Sequence, residues 1–339
     1  MTHEFKNMII AYVQARERGL KAVLATVVDL EGSSYRKPGV QMLIVEDGRM
    51  IGAVSGGCVE KDIARQSEAV FKEGNSIMMT YDGRYRLGCE GILYILLELF
   101  QPNDDFLKAF DQCLLNRDDF VMKSYYRKEV GTFPGMGTRV QLQQHTYFLS
   151  KTSIPQKKEN SLSVFTQKMP PCFKLMIFGA EHDAVQLCKF ASLNGWEVTI
   201  VSGPLESKTI ANFPGASGFY AGAPDARTMH QIDSQTAAVL MTHNFANDLK
   251  FLIELKETHP AYIGLLGPAH RREKLFSQFI EYCPEIDEDF IDRIHGPAGL
   301  NIGAETPQEI AISILSEILS VVRNKQPILL KEKNGGIHA

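Results

Sequence analysis

The chain has 339 residues, 44% of them hydrophobic and 22% charged, with a formal net charge of -4 at pH 7. At ~150 residues per domain this length points to two domains, each able to bury its own core, and the composition excludes disordered and fibrous classes. The acidic balance, with no dense Lys/Arg run beyond Lys157-Lys158 and Arg271-Arg272, argues against nucleic acid as a partner. The N-terminus MTHEFKNMIIAYVQARERG is amphipathic and carries no export signal, and the longest apolar run, Gly91 to Phe100, is interrupted by Glu98 and falls short of the ~18 residues of a membrane span. A cytoplasmic protein without membrane contact is the expectation. The scattered cysteines Cys58, Cys89, Cys113, Cys172, Cys188 and Cys283 form no C-x-x-C pair, which favours free thiols over a disulfide framework or a zinc site.

Phe5, Met8, Ile9, Tyr12 and Val13 recur at helical spacing ahead of Gly19, so the chain opens with an amphipathic helix. Lys21 to Asp29 reads as a strand, and QMLIVEDGRMIGAV reads as a hairpin in which Asp47-Gly48 supplies the positive φ angles of a type I′ turn. A helix from Cys58 to Lys72 and strands at Ser76 to Tyr81 and Ile92 to Phe100 follow. Between Ser150 and Cys172 the periodicity is lost and Lys, Ser and Pro accumulate, which marks a linker between domains at 1–165 and 172–335. Beyond it, the strand Lys174 to Phe178, a helix with Ala184, Leu187, Cys188 and Ala191 on one face, and the strand Trp196 to Val201 make a βαβ unit. The apolar runs Ala237 to Met241 and Ala261 to Leu266 suit parallel strands covered on both faces, and Thr306-Pro307-Gln308-Glu309 encodes a capping box before the last helix. The fold class is α/β: an N-terminal mixed α/β domain, then a C-terminal Rossmann-like domain with a mainly parallel sheet.

Three turns carry candidate chemistry. Gly179-Ala180-Glu181-His182-Asp183-Ala184 lies between a strand and a helix, where backbone N–H groups can receive a phosphate, but Glu181 fills the middle position of the G-x-G-x-x-G/A fingerprint. The next strand runs into Ser202-Gly203 where a ribose-binding acid is expected. Phosphate binding and a Rossmann fold that does not take NAD in the usual manner both remain open. Gly32-Ser33-Ser34-Tyr35-Arg36-Lys37-Pro38-Gly39 combines hydroxyls and cations suited to an anionic ligand, with a polar surface turn as the alternative. Ser55-Gly56-Gly57-Cys58-Val59-Glu60 presents Cys58 at a helix N-terminus, where the dipole favours thiolate; a buried structural thiol is the competing reading. The glycine pair there implies a close approach to the backbone. Leu87-Gly88-Cys89-Glu90-Gly91 is a second cysteine turn, while Cys113, Cys172, Cys188 and Cys283 read as structural. His243 follows a predicted parallel strand, at the edge where α/β ligands collect, or else in an exposed turn.

Taken in order, GSSYRKPGVQMLI, SGGCVEKDI, GCEG, IFGAEH, MTHN, YIGLLGP and GPAGLNIGAETPQEIAISILSEI resemble the xanthine dehydrogenase accessory protein family, the XdhC/CoxI family, along nearly the whole chain. The resemblance implies a maturation factor that binds molybdenum cofactor (molybdopterin), supports its sulfuration and delivers it to a cofactor-free hydroxylase of the xanthine dehydrogenase type. It implies a cofactor-binding factor more than a turnover enzyme, with a cysteine desulfurase as a further partner and a homodimer as an oligomeric option. Ser33, Ser34, Arg36, Ser55, Gly56, Gly57, Cys58, Glu60 and Cys89 in the first domain, and Gly179, Ala180, His182 and His243 in the second, are the candidate cofactor-binding residues. No catalytic or metal-ligating residue is assigned. The chain departs from the family pattern with GAEH in place of GAGH, Ser202-Gly203 in place of a strand-end acid, and GCEG in place of GCGG. Two other functions stay open: an NAD(P)-dependent oxidoreductase or redox subunit, which Glu181 and Ser202 oppose, and a persulfide carrier using Cys58.

Overall fold

The computed structural model describes residues 1–32, 34, 37–55, 57–85, 91–151, 162–222 and 232–333, apart from the side chains of Cys58 and Tyr85. The chain divides into two compact units, Met1–Pro171 and Cys172–Ala339.

In the first unit, helix α1 (Thr2–Glu17) buries Phe5, Met8, Ile9 and Tyr12 as their spacing predicts. Strand β1 (Ala22–Glu31) is central in an antiparallel sheet of order β3-β2-β1-β5-β4, with β2 (Gln41–Val45), β3 (Met50–Gly52), β4 (Ile77–Asp82) and β5 (Ile92–Leu99). Its residues 22–28 are all buried because both faces are covered. Val23, Ala25 and Val27 pack with Val59, Ile63 and Val70 of α2 (Cys58–Glu73), while Leu24 packs with α1 and the aromatic cluster of Phe5, Phe100, Phe110 and Phe120. Helix α3 (Asp104–Asn116), capped by the Asn103 side chain, adds Phe106 and Phe110 to that cluster. A second antiparallel sheet runs β8-β7-β6-β9, with β6 (Phe120–Tyr126), β7 (Gly137–Leu142), β8 (His145–Phe148) and β9 (Ser163–Met169).

Two sequence expectations need correction. The β2–β3 turn is not type I′: among its residues only Gly48 has positive φ, 88°, while Val45 accepts from the Gly48 amide at 2.8 Å and its own N–H donates to the Arg49 carbonyl at 2.9 Å. That pattern is a type I turn closed by a glycine bulge, which needs one left-handed residue and not two. The stretch from Ser150 to Cys172 is not wholly linker either. Within it, β9 pairs with β6 from Phe120↔Met169 to Tyr126↔Ser163, its exposed face being polar enough to hide the strand in the sequence.

The second unit is a six-stranded sheet of order β12-β11-β10-β13-β14-β15, parallel throughout. Its strands are β10 (Lys174–Phe178), β11 (Glu197–Ser202), β12 (Ala216–Ala221), β13 (Thr236–Leu240), β14 (Tyr262–Leu265) and β15 (Ile294–His295). Leu175, Ile177, Ala237 and Val239 face α4 (His182–Leu193) and α8 (Pro307–Val322). Met176, Phe178, Ala238 and Leu240 face α5 (Phe245–Leu255) and α6 (Ala269–Tyr282), and the short α7 (Glu288–Asp292) adds Phe290 to that side. Burial on both faces is why these strands read as unbroken apolar runs. The α8 capping box forms as its sequence predicts, with Thr306 Oγ1 accepting from the Glu309 amide at 3.3 Å and Glu309 Oε2 accepting from the Thr306 amide at 2.9 Å. The strand order grows outward in both directions from β10, so the switch point lies between β10 and β13, at the carboxyl edge where ligands of such sheets bind.

Candidate functional site

In the first unit the cysteine turn is organised by Glu60. Its Oε1 accepts from the Ser55 amide at 2.6 Å, and its Oε2 accepts from Ser55 Oγ at 2.7 Å and from the Gly57 amide at 2.9 Å. Burial works to raise the Glu60 pKa, but the hydrogen bonds from Ser55 and Gly57 outweigh it and hold the carboxyl below its ordinary value. Ser55 and Glu60 therefore shape the turn, which places Cys58 in the first position of the 16-residue α2. Gly57 is required by its φ of 118°; among the described residues no atom lies within 4 Å of where its Cβ would stand. Ser34 is half-buried. Ser33, Arg36, Gly56 and Cys89, and the Cys58 side chain, lie outside the described residues.

A feature absent from the sequence reading anchors the strand that leads into Gly32. Lys128 Nζ lies 3.0 Å from Asp29 Oδ2 and 2.7 Å from Glu31 Oε1, and Tyr126 Oη donates to Asp29 Oδ2 at 3.1 Å. The signal was the pair of acids at Asp29 and Glu31, two apart on one strand and so on one face. Cys113, Cys172, Cys188 and Cys283 are buried and unbridged, in keeping with a structural role; burial pushes the Cys113 and Cys188 thiols up to about 11.

In the second unit, a cleft of about 460 Å³ opens at the carboxyl edge of the sheet. Gly179, Ala180 and Glu181 form one wall, Ser202 to Glu206 another, and Thr242, Asn247, Lys250 and Phe251 a third. Glu181 is the N-cap of α4 but makes no side-chain cap, and its carboxylate is 55% exposed. Lys208 Nζ stands 3.7 Å from Glu181 Oε2 and donates to the Ala180 carbonyl at 2.7 Å. Ser202 Oγ, at the strand end where an acid was expected, donates to the Tyr220 carbonyl at 3.3 Å and ties β11 to β12.

His243 has a left-handed φ of 54° and brings Nε2 within 3.5 Å of Asp183 Oδ2 in the first turn of α4; it is 53% exposed. His182 Nε2 lies 3.5 Å from Gln186 Nε2. Both histidines thus stand at the switch point, on the loop after β13 and at the start of α4. Beside them, Asp248 accepts from Thr242 Oγ1 at 2.6 Å and from Arg271 at 2.6 Å and fixes that loop.

A second polar cluster had no sequence signal, because its members lie far apart in the chain. Glu317 Oε2 accepts from Tyr262 Oη at 2.5 Å and from the Gly299 amide at 2.7 Å, and Oε1 lies 3.1 Å from His295 Nδ1. The His295 ring stacks on Tyr262 with centroids 4.6 Å apart. Burial works to raise the Glu317 pKa, but His295, Tyr262 and Gly299 outweigh it and hold the carboxyl below its ordinary value; burial and the same contact push the Tyr262 hydroxyl up.

Comparison with known proteins settles the kinship. The profile described as the XdhC Rossmann domain matches residues 175–318, and that of the XdhC and CoxI family matches residues 15–82. The chain belongs to the XdhC/CoxI family. It is 31% identical to a probable xanthine dehydrogenase subunit of Bacillus subtilis, over 93% of this chain and 96% of that one. It is 27% identical to the molybdenum cofactor insertion chaperone PaoD of Escherichia coli, over 95% of this chain and 90% of that one. The crystal structure of a xanthine dehydrogenase from Bacillus halodurans superposes with a TM-score of 0.76 at 26% identity, covering 94% of this chain and 96% of that chain. The cleft carrying Glu181 and Glu206 thus falls within the span of the XdhC Rossmann domain, and the Glu60-bound turn within that of the XdhC and CoxI family. Among the described residues, no helix is long and apolar enough to cross a membrane.

Proposed function

We propose that this XdhC/CoxI chain is an accessory factor that binds molybdenum cofactor and inserts it into a hydroxylase of the xanthine dehydrogenase type. The observation that carries the reading is the Ser55–Glu60 turn, which holds the Gly57 amide and the Cys58 end of a long helix in place with both Glu60 oxygens engaged. Molybdopterin bears a phosphate and an enedithiolate, and the helix N-terminus at Cys58, with the hydroxyl and cationic side chains of Ser33, Ser34 and Arg36, suits such an anion. The resemblance to a relative named as a molybdenum cofactor insertion chaperone supports the same reading. Sulfuration of the cofactor, contact with a cysteine desulfurase, a homodimeric state and confinement to the cytoplasm belong to the proposal, as do domain limits at 1–165 and 172–335. The Rossmann strand order supports a second reading, an NAD(P)-dependent redox subunit; Glu181, and Ser202 in place of a strand-end acid, weigh against it. A persulfide on Cys58 is a third.

The test is reconstitution. A cofactor-free hydroxylase of this type, given molybdenum cofactor with and without the chain, gains activity several-fold faster in its presence under the proposal. Equal rates contradict it.

A further inference from the structure

Of the three roles that glycine or alanine plays in a dinucleotide fingerprint, this chain keeps the two that serve the fold and lacks the one that serves a diphosphate. Gly179 has φ 134°, and a Cβ there would stand 2.4 Å from the Met241 carbonyl oxygen, so the first position still makes the tight turn against β13. Ala184 is fully buried and still lets α4 lie close on the sheet. The middle position is Glu181, in ordinary extended backbone at φ -75° and ψ 179°. A diphosphate approaching that turn meets the Glu181 carboxylate, which is 55% exposed.

The cleft itself survives, at a volume within the usual range of small-molecule sites. Its second wall carries an acid after all, four residues beyond Ser202. The turn from Gly203 to Glu206, closed by the Glu206 amide donating to the Gly203 carbonyl at 3.1 Å, turns Glu206 back into the lining. Glu206 Oε1 accepts from the Lys208 amide at 3.0 Å, which fixes the carboxylate; Oε2 lies 3.9 Å from Lys208 Nζ, beyond hydrogen-bond reach, and keeps its acceptor capacity. The loop after the second strand is where such folds accept hydrogen bonds from ribose hydroxyls. Phe251 adds an aromatic ring and Lys250 a cation to the opposite wall.

We propose that this cleft binds a nucleoside or nucleoside 5′-monophosphate, with Glu206 accepting from the vicinal ribose hydroxyls, and that it rejects dinucleotides. The site is independent of the cofactor reading, which rests on the first unit.

The experiment is calorimetric titration of the full chain with adenosine, guanosine, cytidine, their 5′-monophosphates, the 2′,3′-dideoxy forms, NAD and NADP, using wild type and a Glu206→Gln variant with an unchanged melting profile. At least one ribonucleoside or monophosphate binds with Kd below about 1 mM. Its dideoxy form binds at least about tenfold more weakly, and Glu206→Gln weakens the ribose form by a similar factor while leaving the dideoxy form unchanged, because both changes remove one contact. NAD and NADP bind at least about tenfold more weakly than the preferred ligand. The proposal is overturned if nothing of this class binds at about 1 mM, if the dideoxy form binds as well, or if a dinucleotide binds as tightly.

Discussion

The Lys208 ammonium donates to the Ala180 carbonyl oxygen at 2.7 Å, beside the turn that in dinucleotide-binding folds receives a diphosphate. Glu181 holds it there from 3.7 Å. Glu181→Gly restores the middle glycine and removes the carboxylate, and NAD affinity should rise by about tenfold or more over wild type, read by calorimetry. An unchanged affinity would mean that Glu181 is not what excludes the diphosphate.

Gly179→Ala and Gly57→Ala separate two reasons for glycine. At Gly179 the added Cβ meets backbone at 2.4 Å in addition to an unfavourable φ of 134°, whereas at Gly57 φ opposes it and no atom of the described residues lies within 4 Å. Gly179→Ala should cost more than about 3 kcal/mol and Gly57→Ala about 1 to 2 kcal/mol in urea unfolding. Equal costs would contradict the close approach of Gly179 to Met241.

Glu98 is fully buried between the two sheets of the first unit. Its Oε2 accepts from the Thr138 amide at 2.9 Å, and its Oε1 has no hydrogen-bond partner among the described residues. Burial pushes its pKa up from 4.5 to about 7, so the folded state holds a proton that the unfolded state releases. The contribution of this group to stability is therefore greatest below pH 4.5 and falls as pH rises towards 7. Glu98→Gln should stabilise the chain at pH 8 by on the order of 2 kcal/mol more than at pH 5, measured by urea unfolding at both. A variant equally destabilised at both would show that the carboxyl is needed in its charged form.

Glu317 behaves in the opposite sense. Its depressed pKa means that its contribution is present above the unfolded carboxyl range and is lost as pH falls through the folded value. Tyr262→Phe removes one of its donors and should cost about 1 to 2 kcal/mol, while Glu317→Ala strands a buried hydroxyl and should cost about 3 kcal/mol. A double-mutant cycle in thermal melts should return a coupling of about 1 kcal/mol; additivity would dissolve the pair.

Much of the second unit was readable because its strands are buried on both faces and its helix ends are chemically marked, as at Thr306 and Glu309. The first unit was readable only as far as Phe100. Strand β6, FVMKSYY, alternates buried with half-buried positions, but its polar residues mask the alternation, and β8 and β15 are too short to register. Glu98 looked like an interruption of an apolar run, since its partner Thr138 lies 40 residues away on another sheet. Glu206 was missed because the rule for a ribose acid looks at the strand end, whereas a turn delivers it four residues later. Tyr262, His295 and Glu317 meet only once β14, β15 and α8 are assembled. Glu60 was visible in the sequence, but its role was not: the carboxylate serves the turn through Ser55 and Gly57.

The proposal that the first unit binds molybdenum cofactor names Cys58 and Arg36 among the residues that hold it. Anaerobic titration of the purified chain with the cofactor tests it most directly, comparing wild type with Cys58→Ala and Arg36→Ala and running NAD and NADP alongside. Wild type should bind with a Kd of about 1 μM or tighter, both variants should lose about tenfold or more, and neither dinucleotide should bind comparably. Binding of NAD or NADP without binding of the molybdenum cofactor would contradict it.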